Sequence, residues 1–466
     1  MSVASVSTVS LAALEEDRRS AWVPDVVAGA DSFKLVEWGS DRALGSTSTK
    51  FDVLQIPKPD GTHFSAPILP LPTLIGLFEA LEPVRAVIDD VLDPGVCGYR
   101  RGAEADSSYS REYLRFTEMT RAESEGATHI VTADVAKFFA KTSWSTVLAS
   151  FADVLGADVP PALERWIATA SRRGLDVLPA GYADARLLGN VVLASVDKEI
   201  AGRFARWVDD YRLFATSEHE AAELVQRLDK GLAAVGLVSN SRKTKMYTQA
   251  EFESNRSRPL ESVYHPDLET PEQVRSSLRS LFLESASDPV IGRRGLRFSL
   301  SRLAREEDDF ALDWSLSVLP EIPWEAPRVT AYVARFAHRR FVGGAVERLL
   351  VDALAAREDW LSVRLAALAC HTGIRSSAAA EAVVAAATST GSSSLWGLLL
   401  RALSVGGWRD ETAYVLSRGV LDARAAIAAQ IDLSAALPES IEREFPWTVD
   451  ALRGHAVPLP SVESIL

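Results

Sequence analysis

Apolar and polar positions along the chain follow two regimes that change near residue 250. Between Phe51 and Tyr247, short apolar runs of strand length mix with stretches of helical spacing, as expected of an α+β domain. The clearest helix follows Ser217. Ala221, Leu224, Val225, Leu228, Leu232 and Val235 fall on one helical face, Ser217 with Glu220 reads as a capping box, and Gly236 as the stop. His129-Ile130-Val131-Thr132-Ala133-Asp134 predicts a strand ending on a carboxylate, and Arg203 to Phe214 a hairpin with Asp209-Asp210 at its tight turn. Residues 251–275 are polar and Pro-bearing and read as a linker. From 276 to 466 only helices are expected, Ala/Leu-rich segments such as WLSVRLAALACHTG and SLWGLLLRALSVGG, each closing near Gly. Their pattern is that of an irregular all-α helical repeat domain or bundle. Residues 1–50 form an N-terminal extension without sharp signals.

Composition changes this picture little, and charge changes it more. The 466 residues are 47% hydrophobic and 24% charged, which is ordinary globular composition. No run of 18 apolar residues predicts a membrane span, and the opening MSVASVSTVSLAALEEDRRS has no basic segment before its apolar stretch, unlike a secretory leader. Cys97 and Cys370 are too few for a disulfide framework or a Cys-rich zinc site, so the expectation is a cytoplasmic protein. Lys and Arg number 50 against 63 Asp and Glu, a net charge of −13. Binding to nucleic acid would then need a local basic groove.

The candidate chemistry lies in carboxylates. Asp-Asp alone is common at a hairpin turn, and Asp134 alone is explained as a helix N-cap. A strand delivering Asp134 beside Asp209 and Asp210 gives three hard-oxygen groups able to hold two Mg²⁺ ions. Such a site activates a 3′-hydroxyl and stabilises a leaving pyrophosphate in nucleotidyl transfer. Leu178-Pro179-Ala180-Gly181 precedes a helix-like run, and its Gly permits close backbone approach to a base pair or phosphate. Asn240 to Lys245 is a basic patch in which Lys243 either meets a triphosphate, or protonates pyrophosphate, or is a solvated surface lysine.

The order of these segments resembles the reverse transcriptases, bacterial ones in particular, over residues 51–250. Ile56-Pro57-Lys58-Pro59-Asp60-Gly61 looks like the fingers motif, and Val96 to Gly102 like the element after the fingers helices. Asp134 with Phe138-Phe139 is similar to motif A, Leu178 to Gly181 to motif B, Trp207-Val208-Asp209-Asp210 to motif C, and Gly236-Leu237 through Lys243-Thr244 to motif D. The resemblance implies right-hand polymerase fingers and palm. It implies Asp134, Asp209 and Asp210 as catalytic residues, with Val135 joining them as metal ligands for two Mg²⁺ ions. Phe139 stands where the family places a ring under the incoming sugar, so the implied substrate is a dNTP. Lys58, Lys243, Ala180 and Gly181 would complete the nucleotide site. The chain departs from the family in having Ala180 where motif B has Gln, Ala185 where it has Ser, and no counterpart of the fingers Arg, with only His63 nearby. These departures bear on efficient templated copying.

No maturase, endonuclease or RNase H segment follows residue 250, and a helical region stands where a thumb would begin. That arrangement is similar to abortive-infection and other defence-associated reverse transcriptases, some of which work without a template, start on a protein hydroxyl, or copy a dedicated non-coding RNA. The resemblance implies dNTPs, an RNA template or partner RNA, a DNA product and homo-oligomers as partners, and no membrane. Three alternatives stand: a conventional RNA-templated enzyme, a toxin-like ribonuclease using Arg364 and His371, and an inactive palm serving as scaffold. Nine tyrosines are candidate priming hydroxyls, Tyr211 and Tyr182 being more simply packing or substrate contacts.

Overall fold

A computed structural model describes residues 51–69, 71–100, 109–156, 158–257, 270–419, 421 and 423–433. The N-terminal extension 1–50, the end of the helical region, residues 258–269 of the expected linker, and with them Tyr264, lie outside the described residues. The chain divides into two compact units; among the described residues the first holds Phe51 and 69–257, the second 52–68 and 270–433. The order of elements is β1 (Asp52–Pro57), β2 (His63–Ile68), α1 (Leu71–Leu81), α2 (Arg85–Val91), α3 (Tyr109–Glu125), β3 (His129–Asp134), α4 (Phe138–Lys141), α5 (Trp144–Leu155), α6 (Pro161–Arg172), α7 (Ala183–Ile200), β4 (Phe204–Trp207), β5 (Asp210–Ala215), α8 (Glu218–Ala234), β6 (Lys245–Thr248) and α9 (Gln249–Ser257). Then follow α10 (Pro271–Ser287), α11 (Arg293–Arg305), α12 (Leu312–Val318), α13 (Ala326–Ala334), α14 (Arg340–Ala356), α15 (Asp359–Thr372), α16 (Ser377–Ser389), α17 (Ser393–Val405), α18 (Arg409–Ser417) and α19 (Ala423–Asp432).

In the first unit a four-stranded antiparallel sheet runs in the order β4-β5-β3-β6. Ile130, Val131, Leu213 and Phe214 are buried in its middle, and α7 and α8 pack against each other beside it. The helix expected after Ser217 is α8. Ser217 accepts from the Glu220 amide as foreseen, while the Glu220 carboxylate reaches back to Thr216, one residue before the cap. At its end Leu237 N bonds Leu232 O and Gly236 N bonds Ala233 O, with Gly236 at φ +74°, a full Schellman stop.

Beneath the β4–β5 turn lies a buried polar network. Arg206, on β4, donates to both carboxylate oxygens of Asp197 on α7, the shortest bond being 2.6 Å. It also donates to Asn190 Oδ1 at 2.8 Å and to the Val208 carbonyl at 2.8 Å. Tyr211 Oη donates to Asp197 at 2.9 Å, and Asn190 Nδ2 to the Gly98 carbonyl at 2.7 Å. Every charge in the cluster is paired and hydrogen-bonded, which is what permits its burial.

The second unit holds the hairpin β1–β2 and the helices from α10 on. Helices α15 and α17 carry apolar residues on all sides and are accordingly buried nearly throughout, while α14, α16 and α18 present polar faces to solvent. Asp52 of β1 joins the cap of α17, its Oδ2 accepting from Ser393 N at 2.8 Å alongside Ser392 at the N-cap.

Two expected boundaries are corrected. The stretch 251–257 is not linker but belongs to α9, and 271–275 open α10, which starts at Pro271 behind a capping box of Thr270 and Gln273. The hairpin bearing Lys58, placed by sequence with the rest of 51–250, falls in the second unit.

Replacing Asp197 with Ala should leave the Arg206 guanidinium buried and unpaired and cost about 3–5 kcal/mol, read by urea unfolding; a loss under about 1 kcal/mol would show that the pair does not hold the fold.

Candidate active site

Strand register brings the three carboxylates to one end of the sheet. Asp134, the last residue of β3, faces Asp210 at the start of β5, and Trp207, the last of β4, faces Asp210 from the other side. Val208 and Asp209 turn the chain between β4 and β5. Val208 has φ +57°, a left-handed conformation that costs a β-branched residue on the order of 1–3 kcal/mol. Its carbonyl is held by Arg206, and the Asp209 carbonyl accepts from Val135 N at 3.3 Å.

Burial and the neighbouring carboxylates of Asp210 and Asp134 push Asp209 up to about 7. Burial raises Asp210 too, with Arg212 opposing and Asp134 adding to the shift. Lys243 answers this charge. Its ammonium lies 2.9 Å from Asp134 Oδ1, and although burial works the other way, that bond and the three carboxylates raise its pKa. Asn240 holds the second oxygen, Nδ2 donating to Asp134 Oδ2 at 3.0 Å, while its backbone N–H bonds the Asp134 carbonyl at 2.7 Å.

The other expected residues are distributed as follows. Phe139, five residues after Asp134, is half-buried on α4 and meets buried Phe138 edge-on at 5.1 Å. Ala180 is buried, and Gly181 takes φ +98°, a conformation that favours glycine, just before Tyr182 caps α7. One turn on, Asp184 forms a bidentate pair with Arg85 of α2 at 2.7 and 2.5 Å, both side chains buried. Lys58 is exposed on β1–β2, its ammonium 5.9 Å from the Phe64 ring centroid. The structure thus gathers Asp134, Asp209, Asp210, Val135 and Lys243; Lys58 belongs to the second unit.

Sequence reasoning missed Asn240 as a partner of Asp134 and the whole network of Asn190, Asp197 and Arg206. The available signal was two polar residues seven apart on the apolar helix α7, which puts them on one face. Arg364 and His371 both lie on α15; Arg364 is buried, stacked 4.7 Å from the Trp360 ring, and burial with nearby Arg328 brings it down to about 9. Of the tyrosines, Tyr99, Tyr182, Tyr211 and Tyr332 are buried, while Tyr113 and Tyr414 are exposed.

The donor set suits a hard divalent cation: three carboxylates converge where their mutual repulsion already penalises ionisation. Among the described residues, no three acidic, His or Cys side chains are spaced as a formed metal cage; both oxygens of Asp134 are engaged by Lys243 and Asn240. Residues 79–274 match the family model for reverse transcriptase (RNA-dependent DNA polymerase). The match supports a nucleotidyltransferase domain over that span. It takes in all three carboxylates, the Gly181 turn and Lys243, and leaves β1–β2 and the helices from α11 outside. No curated protein matches the chain.

Because the folded pKa of Asp209 exceeds its unfolded value of 3.8, the folded state holds the proton longer, and stability falls as pH rises from about 4 through 7. In buffer with chelator, Asp209→Asn should therefore stabilise the fold in urea unfolding by an amount on the order of 2 kcal/mol at pH 8 and by little at pH 4. An equal gain at both pH values would contradict the shift.

Proposed function

We propose that the chain is a Mg²⁺-dependent DNA polymerase of the reverse-transcriptase type, with right-hand fingers and palm, acting in the cytoplasm in antiphage defence. The observation that carries the polymerase reading is the convergence of Asp134, Asp209 and Asp210 at one sheet end beside Lys243, inside the span matched by the family model. The three carboxylates and the Val135 carbonyl would hold two Mg²⁺ ions, which lower the pKa of an attacking 3′-hydroxyl and stabilise the charge on the leaving pyrophosphate. Phe139 would lie under the sugar and reject a 2′-hydroxyl. Ala180 and Gly181 would shape the pocket for the nucleotide and template, and Lys243 would contact the triphosphate.

The defence reading rests on the helical region after the palm. Its helices would hold the product strand, a partner RNA or sister subunits in a homo-oligomer. A second reading, an enzyme templated by a dedicated non-coding RNA, shares the site and differs in what starts synthesis. Against a ribonuclease centred on Arg364 stands the burial of that residue.

The test is incorporation of labelled dNTP by the purified chain with Mg²⁺ and no added nucleic acid, the products run with and without protease digestion. Protease-sensitive label is the expected result; label that appears only with a primed template or co-purified RNA would favour the second reading. Asp210→Ala should lower incorporation at least ~100-fold, and synthesis at the wild-type rate would sink the polymerase assignment. Phe139→Ala should admit rNTPs; unchanged discrimination would remove the ring from the sugar site.

A further inference from the structure

Asp134 has two oxygens, and both are engaged. Asn240 is fixed on its oxygen from two directions, by the side-chain bond of 3.0 Å and by its backbone bond to the Asp134 carbonyl, and its own carbonyl anchors the amides of Lys243 and Thr244. Lys243 makes a single bond to Oδ1 through a flexible four-carbon stem whose side chain is 63% exposed. Of the two donors, Lys243 is the one free to leave.

We propose that Lys243 and a divalent cation compete for Asp134, so that cation loading is coupled to the arrival of the triphosphate. This rests on the metal reading of the site given above. A cation ligated through Oδ1 displaces the ammonium and then repels it, so binding of the cation alone is penalised. A triphosphate supplies the negative charge to which the displaced ammonium transfers, and the penalty disappears. The ion pair therefore orders events: Asp134 keeps the protein's own lysine as its counter-ion until nucleotide and cation come together. Asn240 is a positioning residue in this scheme, holding the Asp134 carboxylate in one orientation while Oδ1 changes partner.

The test is Mn²⁺ binding to the full chain by calorimetry, with and without a non-hydrolysable dNTP analogue, in the wild type, Lys243→Met and Lys243→Arg. In the wild type the analogue should tighten Mn²⁺ binding. Lys243→Met should bind Mn²⁺ alone about threefold or more tightly than the wild type, since a neighbouring cation is gone, and the tightening by the analogue should shrink. Lys243→Arg, which keeps the charge, should behave as the wild type. Mn²⁺ binding to Lys243→Met that is no tighter than to the wild type overturns the competition while leaving the metal reading intact. Absence of Mn²⁺ binding in every protein and mixture overturns the metal reading itself, and the inference with it.

Discussion

The geometry of the site depends on one buried ion pair. Arg206 and Asp197 lie at zero or near-zero exposure, one on the strand before the carboxylate turn and the other on the long apolar helix α7. An isolated charge there would be strongly disfavoured, so each fixes the other, and the arginine's remaining donors are committed to Asn190 and to the Val208 carbonyl. Through that last bond the pair holds a valine in a left-handed conformation it would not choose. The strained turn is what places Asp209 between β4 and β5, with Asp210 already fixed by register against Asp134.

The cost of this arrangement is visible in the electrostatics. Burial at the sheet end, with repulsion from Asp210 and Asp134 added, pushes Asp209 up to about 7, and Lys243 with Asn240 offsets part of the negative charge at Asp134. A rigid apolar support and an internal counter-ion are complementary: the first aims the charges, the second lets them be kept together. In the second unit α15 and α17 carry apolar residues on all sides, and apolar burial dominates their packing, with Arg364 and Arg401 also buried.

What could be read from the sequence follows from how local each signal is. The strand ending at Asp134 and the Schellman stop at Gly236 are written within a few adjacent residues and stand where the spacing put them, and the hairpin between β4 and β5 is also found, with its turn shifted by one residue to Val208-Asp209 so that Asp210 opens β5. Strand register brings Asp134 opposite Asp210, and Lys243 reaches Asp134 from the loop before β6. The role of Asn240 and the Asn190–Asp197–Arg206 network did not show, since each joins groups from separate elements and none has a short motif of its own. The linker was misjudged because polar, Pro-bearing composition hides a capping box, Thr270 to Gln273, that starts a helix. The hairpin holding Lys58 reads locally as a hairpin, but its grouping with the helical unit is carried by long-range contacts such as Asp52 with Ser393.

The buried network positions the carboxylate turn, and the site needs that positioning. Asn190 tests it most directly, since it links Arg206 to the Gly98 carbonyl and hydrogen-bonds to none of the three carboxylates. The measurement is the single-turnover rate of nucleotide addition by Asn190→Ala at a temperature where unfolding shows the protein fully folded. The expected result is a fall of roughly tenfold or more with the fold intact. A wild-type rate in that folded variant would contradict it.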